Sequence, residues 1–123
     1  MKIKEIAFVC YGVGDIKKAR KFYEDVLGLK PRSVWIDPKG KSGFIEYEIG
    51  PHTLAIGMGA KNFKPGKAGA TVAVEVEDFE EAMKKIKKSR VKILMQPHES
   101  NVCWMMLVED PSKNQIMIHK RKS

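Results

Sequence analysis

This chain lacks most of the features that would force an unusual architecture. Only two of its 123 residues are cysteine, Cys10 and Cys103, far apart in apolar, strand-like surroundings. Two such residues argue against a disulfide scaffold and for buried free thiols in a reducing cytoplasm. No apolar run approaches the length needed to cross a bilayer, and Met1-Lys2-Ile3-Lys4 does not lead into a secretory stretch. A cytoplasmic protein without membrane contact is therefore expected. Acidic residues are scarce too: 15 Asp plus Glu against 23 Lys plus Arg leave a net charge of +8. The lysines are nevertheless scattered, and no basic stretch is interleaved with aromatics as single-strand nucleic-acid binders require. The excess charge reads as a solvated surface that draws anionic small molecules, with no nucleic-acid partner.

What is present is ordinary in bulk and informative in pattern. Hydrophobic content of 43% and charged content of 31% suit one globular domain able to bury a core. The chain also repeats itself. Phe8-Val9-Cys10-Tyr11-Gly12-Val13-Gly14-Asp15-Ile16-Lys17-Lys18-Ala19 aligns without a gap to Thr71-Val72-Ala73-Val74-Glu75-Val76-Glu77-Asp78-Phe79-Glu80-Glu81-Ala82. Thr53-Leu54-Ala55-Ile56-Gly57 echoes Gln115-Ile116-Met117-Ile118-His119. A unit of half the chain means a duplicated module. Module one spans residues 1–60, a linker 61–69 (with Lys61, Asn62, Lys64, Pro65, Gly66 and Lys67), and module two 70–123.

Periodicity predicts a strand over residues 5–13, then a helix capped by Asp15, running to about Leu27 and stopped by Gly28. Its apolar stripe is Ile16, Ala19, Phe22, Tyr23, Val26 and Leu27, which makes Phe22 and Tyr23 core residues. Strands follow at 32–36, 43–49 and 53–58. Module two restarts with a strand at 70–76 and a helix at 79–88, opened by Asp78 and Glu81 in a capping-box pattern, with Phe79, Ala82, Met83 and Ile86 inward. Strands at 92–95, 102–108 and 115–119 complete a second βαβββ unit. His52 and His98 fall in predicted loops.

Alternation assigns each sheet two faces. Val9, Val13, Leu54 and Ile56, with Val72, Val74, Val76, Ile116 and Ile118, share the face that takes the helices. The other face carries Phe8, Cys10, Gly12, Thr53, Ala55 and Gly57 in module one. In module two it carries Thr71, Ala73, Glu75, Gln115, Met117 and His119. A sheet covered on one side only tends to curve around a cavity, and such cavities bind small molecules.

The pattern Asp15-x-x-x-Ala19-x-x-Phe22-Tyr23-x-x-Val26-Leu27-Gly28-Leu29, with Asp110-Pro111-Ser112-Lys113-Asn114-Gln115-Ile116 near the end, resembles the vicinal oxygen chelate superfamily. That superfamily includes glyoxalase, bleomycin-resistance proteins and extradiol dioxygenases. The resemblance implies an α+β fold whose paired βαβββ modules form a cup-shaped half-barrel with helices on the convex side. It implies a homodimer as well. Family metalloenzymes hold a divalent ion with His, Glu or Gln from the first and last strands of each module. Those positions fall here at Phe8, Ala55, Thr71 and Met117. Phenyl and methyl groups offer no donor atom, a thioether is soft, and one hydroxyl cannot fix an ion. No metal and no other cofactor is expected. In the D-P-x-G-N turn of the family, Lys113 replaces glycine, and Asn114 is expected to take the left-handed conformation.

Cys10, Glu75 and His119 should point into the cup, either as a displaced metal or acid–base site or as polar groups on a wet rim. Trp104 lies on a strand that is apolar on both faces, so alternation alone does not say which face enters the cup. The expected ligand pocket combines Phe8, Cys10, Ala55, Thr71, Glu75, Trp104, Met117 and His119, with Glu75, His119 and Tyr47 orienting a small organic, aromatic or anionic molecule. The alternative is a lyase or dioxygenase-like enzyme of the lactoylglutathione-lyase type, using a displaced metal or none.

Overall fold

The computed structural model describes residues 2, 6–60, 63–66, 69–101 and 103–122. Predicted features at Met1, Ile3, Lys4, Glu5, Lys61, Asn62, Lys67 and Val102 lie outside the described residues. The chain divides into two units, Met1–Pro65 and Gly66–Ser123. Each unit is one βαβββ module, so the fold class is α+β.

In module one, β1 (Val9–Gly12) leads into α1 (Ile16–Arg20), then a π-helical segment Lys21–Val26, followed by β2 (Lys30–Ile36), β3 (Gly43–Ile49) and β4 (His52–Met58). Asp15 caps the helix, its carboxylate accepting from the amides of Lys17 and Lys18 at 3.1 Å. The π segment is marked by Leu27 N donating to Phe22 O at 3.0 Å, and the helix stops where Gly28 takes φ +73°. The sheet order is β1-β4-β3-β2, with β1 parallel to β4 and the remaining pairs antiparallel. Parallel register places Val9 beside Leu54 and Tyr11 beside Ile56. Together with Ile16, Ala19, Phe22, Tyr23, Ile45 and Tyr47 these side chains form the core, Val9 being half-buried. Each fully buried large side chain contributes roughly 1.5–3 kcal/mol. Tyr23 and Tyr47 stack at 5.8 Å.

Module two repeats the plan with β5 (Val72–Glu75), α2 (Phe79–Ser89), β6 (Lys92–Glu99), β7 (Cys103–Glu109) and β8 (Gln115–Arg121), in the order β5-β8-β7-β6. Asp78 caps α2, accepting from Glu81 N at 3.0 Å. The duplication reaches individual bonds: Val13 N donates to Gly57 O, and Val76 N to His119 O, each at 2.9 Å. Ile86, Met106, Val108, Ile116 and Ile118 are buried, whereas Phe79, Ala82 and Met83 are only half-buried. The β7–β8 turn is locked by Asp110, which accepts from the amides of Ser112 and Asn114 at 2.8 Å and from Asn114 Nδ2 at 2.9 Å.

Several expectations are corrected. β1 begins at Val9, so Phe8 stands one residue outside it, and Thr71 stands one residue outside β5. β6 runs four residues past its predicted end, through Pro97, and carries His98. A proline is compatible with that strand because β6 is the outermost in its sheet and its register is irregular there. His52 opens β4 and is exposed. Lys113 itself takes the left-handed conformation, at φ +70°, not Asn114. The D-P-S-K-N turn keeps the geometry that glycine would favour and accepts its steric cost.

Candidate functional site

Cross-strand register fixes which side chains share the sheet face away from the helix. In module one, a row runs Cys10, Ala55, Glu46, Ser33, and a second runs Gly12, Gly57, Phe44, Trp35. Phe8 leans edge-on against Phe44 with ring centres 5.9 Å apart, and Phe44 stacks on Phe63 at 6.0 Å. The glycines make this possible. A Cβ at Gly57 would lie 2.7 Å from the Phe63 ring, and one at Gly12 would lie 2.6 Å from the Phe63–Lys64 backbone. Phe8 is 48% and Trp35 57% exposed, so the rings present apolar surface. Beside them Glu46 accepts from Ser33 Oγ at 3.0 Å and pairs with Arg32 at 3.5 Å. Ala55 is buried, and Cys10 is half-buried, its thiol pushed up to about 11 by burial. A thiol held that far above neutrality is not a nucleophile.

In module two the equivalent face runs Ala73, Met117, Leu107 and then Glu75, His119, Met105. His119 Nδ1 lies 2.6 Å from Glu75 Oε1, and Arg121 N donates to Glu75 Oε2 at 2.7 Å. The Arg121 amide, then His119, hold the Glu75 carboxyl below the usual glutamate range. Thr71 is exposed and Met117 half-buried.

The structure thus gathers Phe8, Cys10 and Ala55 on one sheet, and Glu75, Met117 and His119 on the other. Trp104 stands apart from them. It pairs with Lys120 and Glu99 and shares its strand face with the buried Met106 and Val108, so it belongs to the α2 side. Tyr47 is likewise no orienting group on the far face. It is fully buried under the helix, donating to Glu24 Oε2 at 2.9 Å, while Arg20 Nε holds the same carboxylate at 2.7 Å. Burial, then the Glu24 carboxylate, raise the Tyr47 hydroxyl well above its usual range. Sequence reasoning names Trp35, with Trp104, as a possible lining of an apolar pocket, but misses Phe44 and Phe63. Phe44 was readable from its alternate position on the strand beside that of Trp35, but Phe63 was hidden in a polar linker.

The family ion does not fit the donor set carried over to this chain. Phe8 and Ala55 contribute carbon only, and Met117 and Thr71 offer a thioether and a hydroxyl. Glu75 and His119 are two donors, a carboxylate and an imidazole, short of the three or four that a site requires. Among the described residues, no three His, Cys, Asp or Glu side chains stand together. Nor is any described helix long and apolar enough to cross a membrane.

The model of the family described as Glyoxalase/Bleomycin resistance protein/Dioxygenase superfamily matches residues 5–118. The chain belongs to this superfamily. Lactoylglutathione lyase of Neisseria meningitidis serogroup A is 27% identical over 119 residues, covering 90% of this chain and 86% of that protein. Among solved structures, TnmS3, an antibiotic binding protein from Streptomyces sp. CB03234, superposes with a TM-score of 0.81 over 99% of both chains at 16% identity. A glyoxalase family protein from Bacillus anthracis is 25% identical, with a TM-score of 0.76 over 99% of this chain and 98% of that one.

Proposed function

We propose that this protein binds a small aromatic or amphipathic molecule on the far face of its sheets and does not use the metal of its lyase relatives. The observation that carries this reading is the row Phe8, Phe44, Phe63 with Trp35, rings held on a glycine-floored face where the metal enzymes would place hard ligands. Aromatic faces bind planar groups by burial and stacking, each ring contact adding about 0.5–1.5 kcal/mol. The adjacent Arg32–Glu46 pair supplies polar orientation, and the net charge of +8 favours a ligand with negative charge. Loss of the ion removes several kcal/mol of carbonyl polarisation, which weighs against lactoylglutathione-lyase chemistry.

The test has two arms. Metal content is measured after equilibration with zinc, nickel and manganese and gel filtration; substoichiometric ion is expected, and tight one-to-one loading overturns the reading. Binding of anilinonaphthalene sulfonate, an aromatic anion, is then followed by fluorescence, and Phe44→Ala should weaken it about tenfold, the worth of one stacked ring. Chelator-resistant turnover of a hemithioacetal would establish the lyase alternative instead. A cytoplasmic homodimer is part of the proposal, supported by the free cysteines and by exposed Val34 and Trp35 on the outer strand β2. Sedimentation at the monomer mass would remove the dimer from it.

A further inference from the structure

We propose that module two carries a second binding site, on the helix side of its sheet, for a planar organic cation. A cavity of about 570 Å³ opens between the N-terminal half of α2 and the ends of β6, β7 and β8. That volume lies within the range of small-molecule sites. Its apolar lining includes Phe79 and Met83 from the helix, Pro97, and the Trp104 indole. In module one the equivalent residues are buried. The repeat pairs Trp104 with Gly43 and Phe79 with Ile16, and Ile16 is buried with its Cγ1 3.6 Å from where a Gly43 Cβ would stand. In module two both Phe79 and Trp104 stay half-exposed.

Charge selects the occupant. Although the chain is strongly basic, the cavity is lined by Glu77, Glu80 and Glu99 together with His98 and Lys120. Asp78 is engaged as the helix cap, Glu80 pairs with Lys84 at 3.8 Å, and Glu99 is met by Lys122, which leaves Glu77 and, once Lys122 is displaced, Glu99 to face a cation. The protein also shows how a cation sits there. Lys122 Nζ lies 4.9 Å from the Trp104 ring centre and 2.5 Å from Glu99 Oε2, combining a cation–π contact with an ion pair. Lysine is a strongly hydrated point charge. A delocalised aromatic cation is more cheaply stripped of water and covers the ring with its whole face, so it displaces Lys122, stacks on Trp104 and meets Glu99. Phe79 and Met83 then enclose its apolar body, the thioether adapting to its outline.

Ethidium serves as the probe, in a Trp35→Phe background that leaves Trp104 the sole indole. One equivalent should quench Trp104 fluorescence. By calorimetry, Glu99→Gln should weaken binding and Lys122→Ala tighten it, each about fivefold, while Lys87→Ala, the same charge change on the outer side of α2, leaves affinity within about twofold. Met83→Trp fills the cavity and should abolish binding with the unfolding midpoint retained. The proposal is overturned if Lys122→Ala and Lys87→Ala behave alike, or if Met83→Trp folds and still binds. The Lys122 comparison alone decides the matter should Met83→Trp not fold.

Discussion

The two modules share strand order, register, caps and the bond closing each first strand, yet they fill their interiors differently. Under its helix, module one packs Phe22, Tyr23 and Tyr47, where the repeat places Lys85, Ile86 and Val108 in module two. The exchange removes three rings and leaves α2 burying Ile86 alone. On the far face the contrast reverses in character: Gly12 and Gly57 lie beneath Phe63, while the matching Glu75 and His119 form a hydrogen-bonded pair open to water. A duplicated scaffold therefore keeps the parts that pair strands and start helices. It is free to differ wherever only volume or surface is at stake. Module one has spent its freedom on a rigid aromatic interior, and module two on an opening.

The sharpest way to break this comparison is to truncate matched core positions. Tyr23→Ala should destabilise the protein by about 4 kcal/mol and Ile86→Ala by about 2 kcal/mol, measured by urea unfolding, because a larger void is left under the denser helix. Equal costs would mean that the two interiors are equally loose. The next effect is on the far face. Gly12→Ala should cost about 1–3 kcal/mol, since its methyl meets backbone that cannot step aside. Glu75→Ala, at the matching place, should change the midpoint far less.

A smaller change, in the opposite direction, is expected at the β7–β8 turn. Lys113→Gly should stabilise by about 1 kcal/mol by relieving the left-handed backbone. Smallest is the pH response of Glu75. Its carboxyl titrates below the ordinary value near 4.3, so the stability it contributes is complete above that value and is lost as pH falls through the depressed one. Carbon-detected titration of Glu75, repeated with Arg121→Pro to remove the bonding amide, should show the midpoint rise.

Much of this fold was legible before any coordinates. Asp15 and Asp78 announce their helices because a carboxylate before an apolar stripe satisfies free amides, and the repeat transfers each assignment from one half to the other. The face assignment of Leu54, Ile56, Ile116 and Ile118 follows from alternation and agrees with the register. What remained hidden was set by partners distant in sequence. The side of Trp104 depends on pairing with Glu99 and Lys120, and alternation is silent where both faces are apolar. Tyr47 has a polar tip that argues for an open face, but Glu24 satisfies it beneath the helix. Phe63 is one ring among lysines and glycines, and only the bare backbone of Gly12 and Gly57 gives it a seat.

Pro97 has a further consequence, for life in a crowded solution. An outermost strand offers a ladder of free donors and acceptors to any neighbouring chain, and the end of β6 would be one such template. The proline withholds a donor and the irregular register around it breaks the ladder, so strand-by-strand stacking of molecules stalls there. The residue that concealed the length of β6 from sequence inspection also acts as its gatekeeper against aggregation.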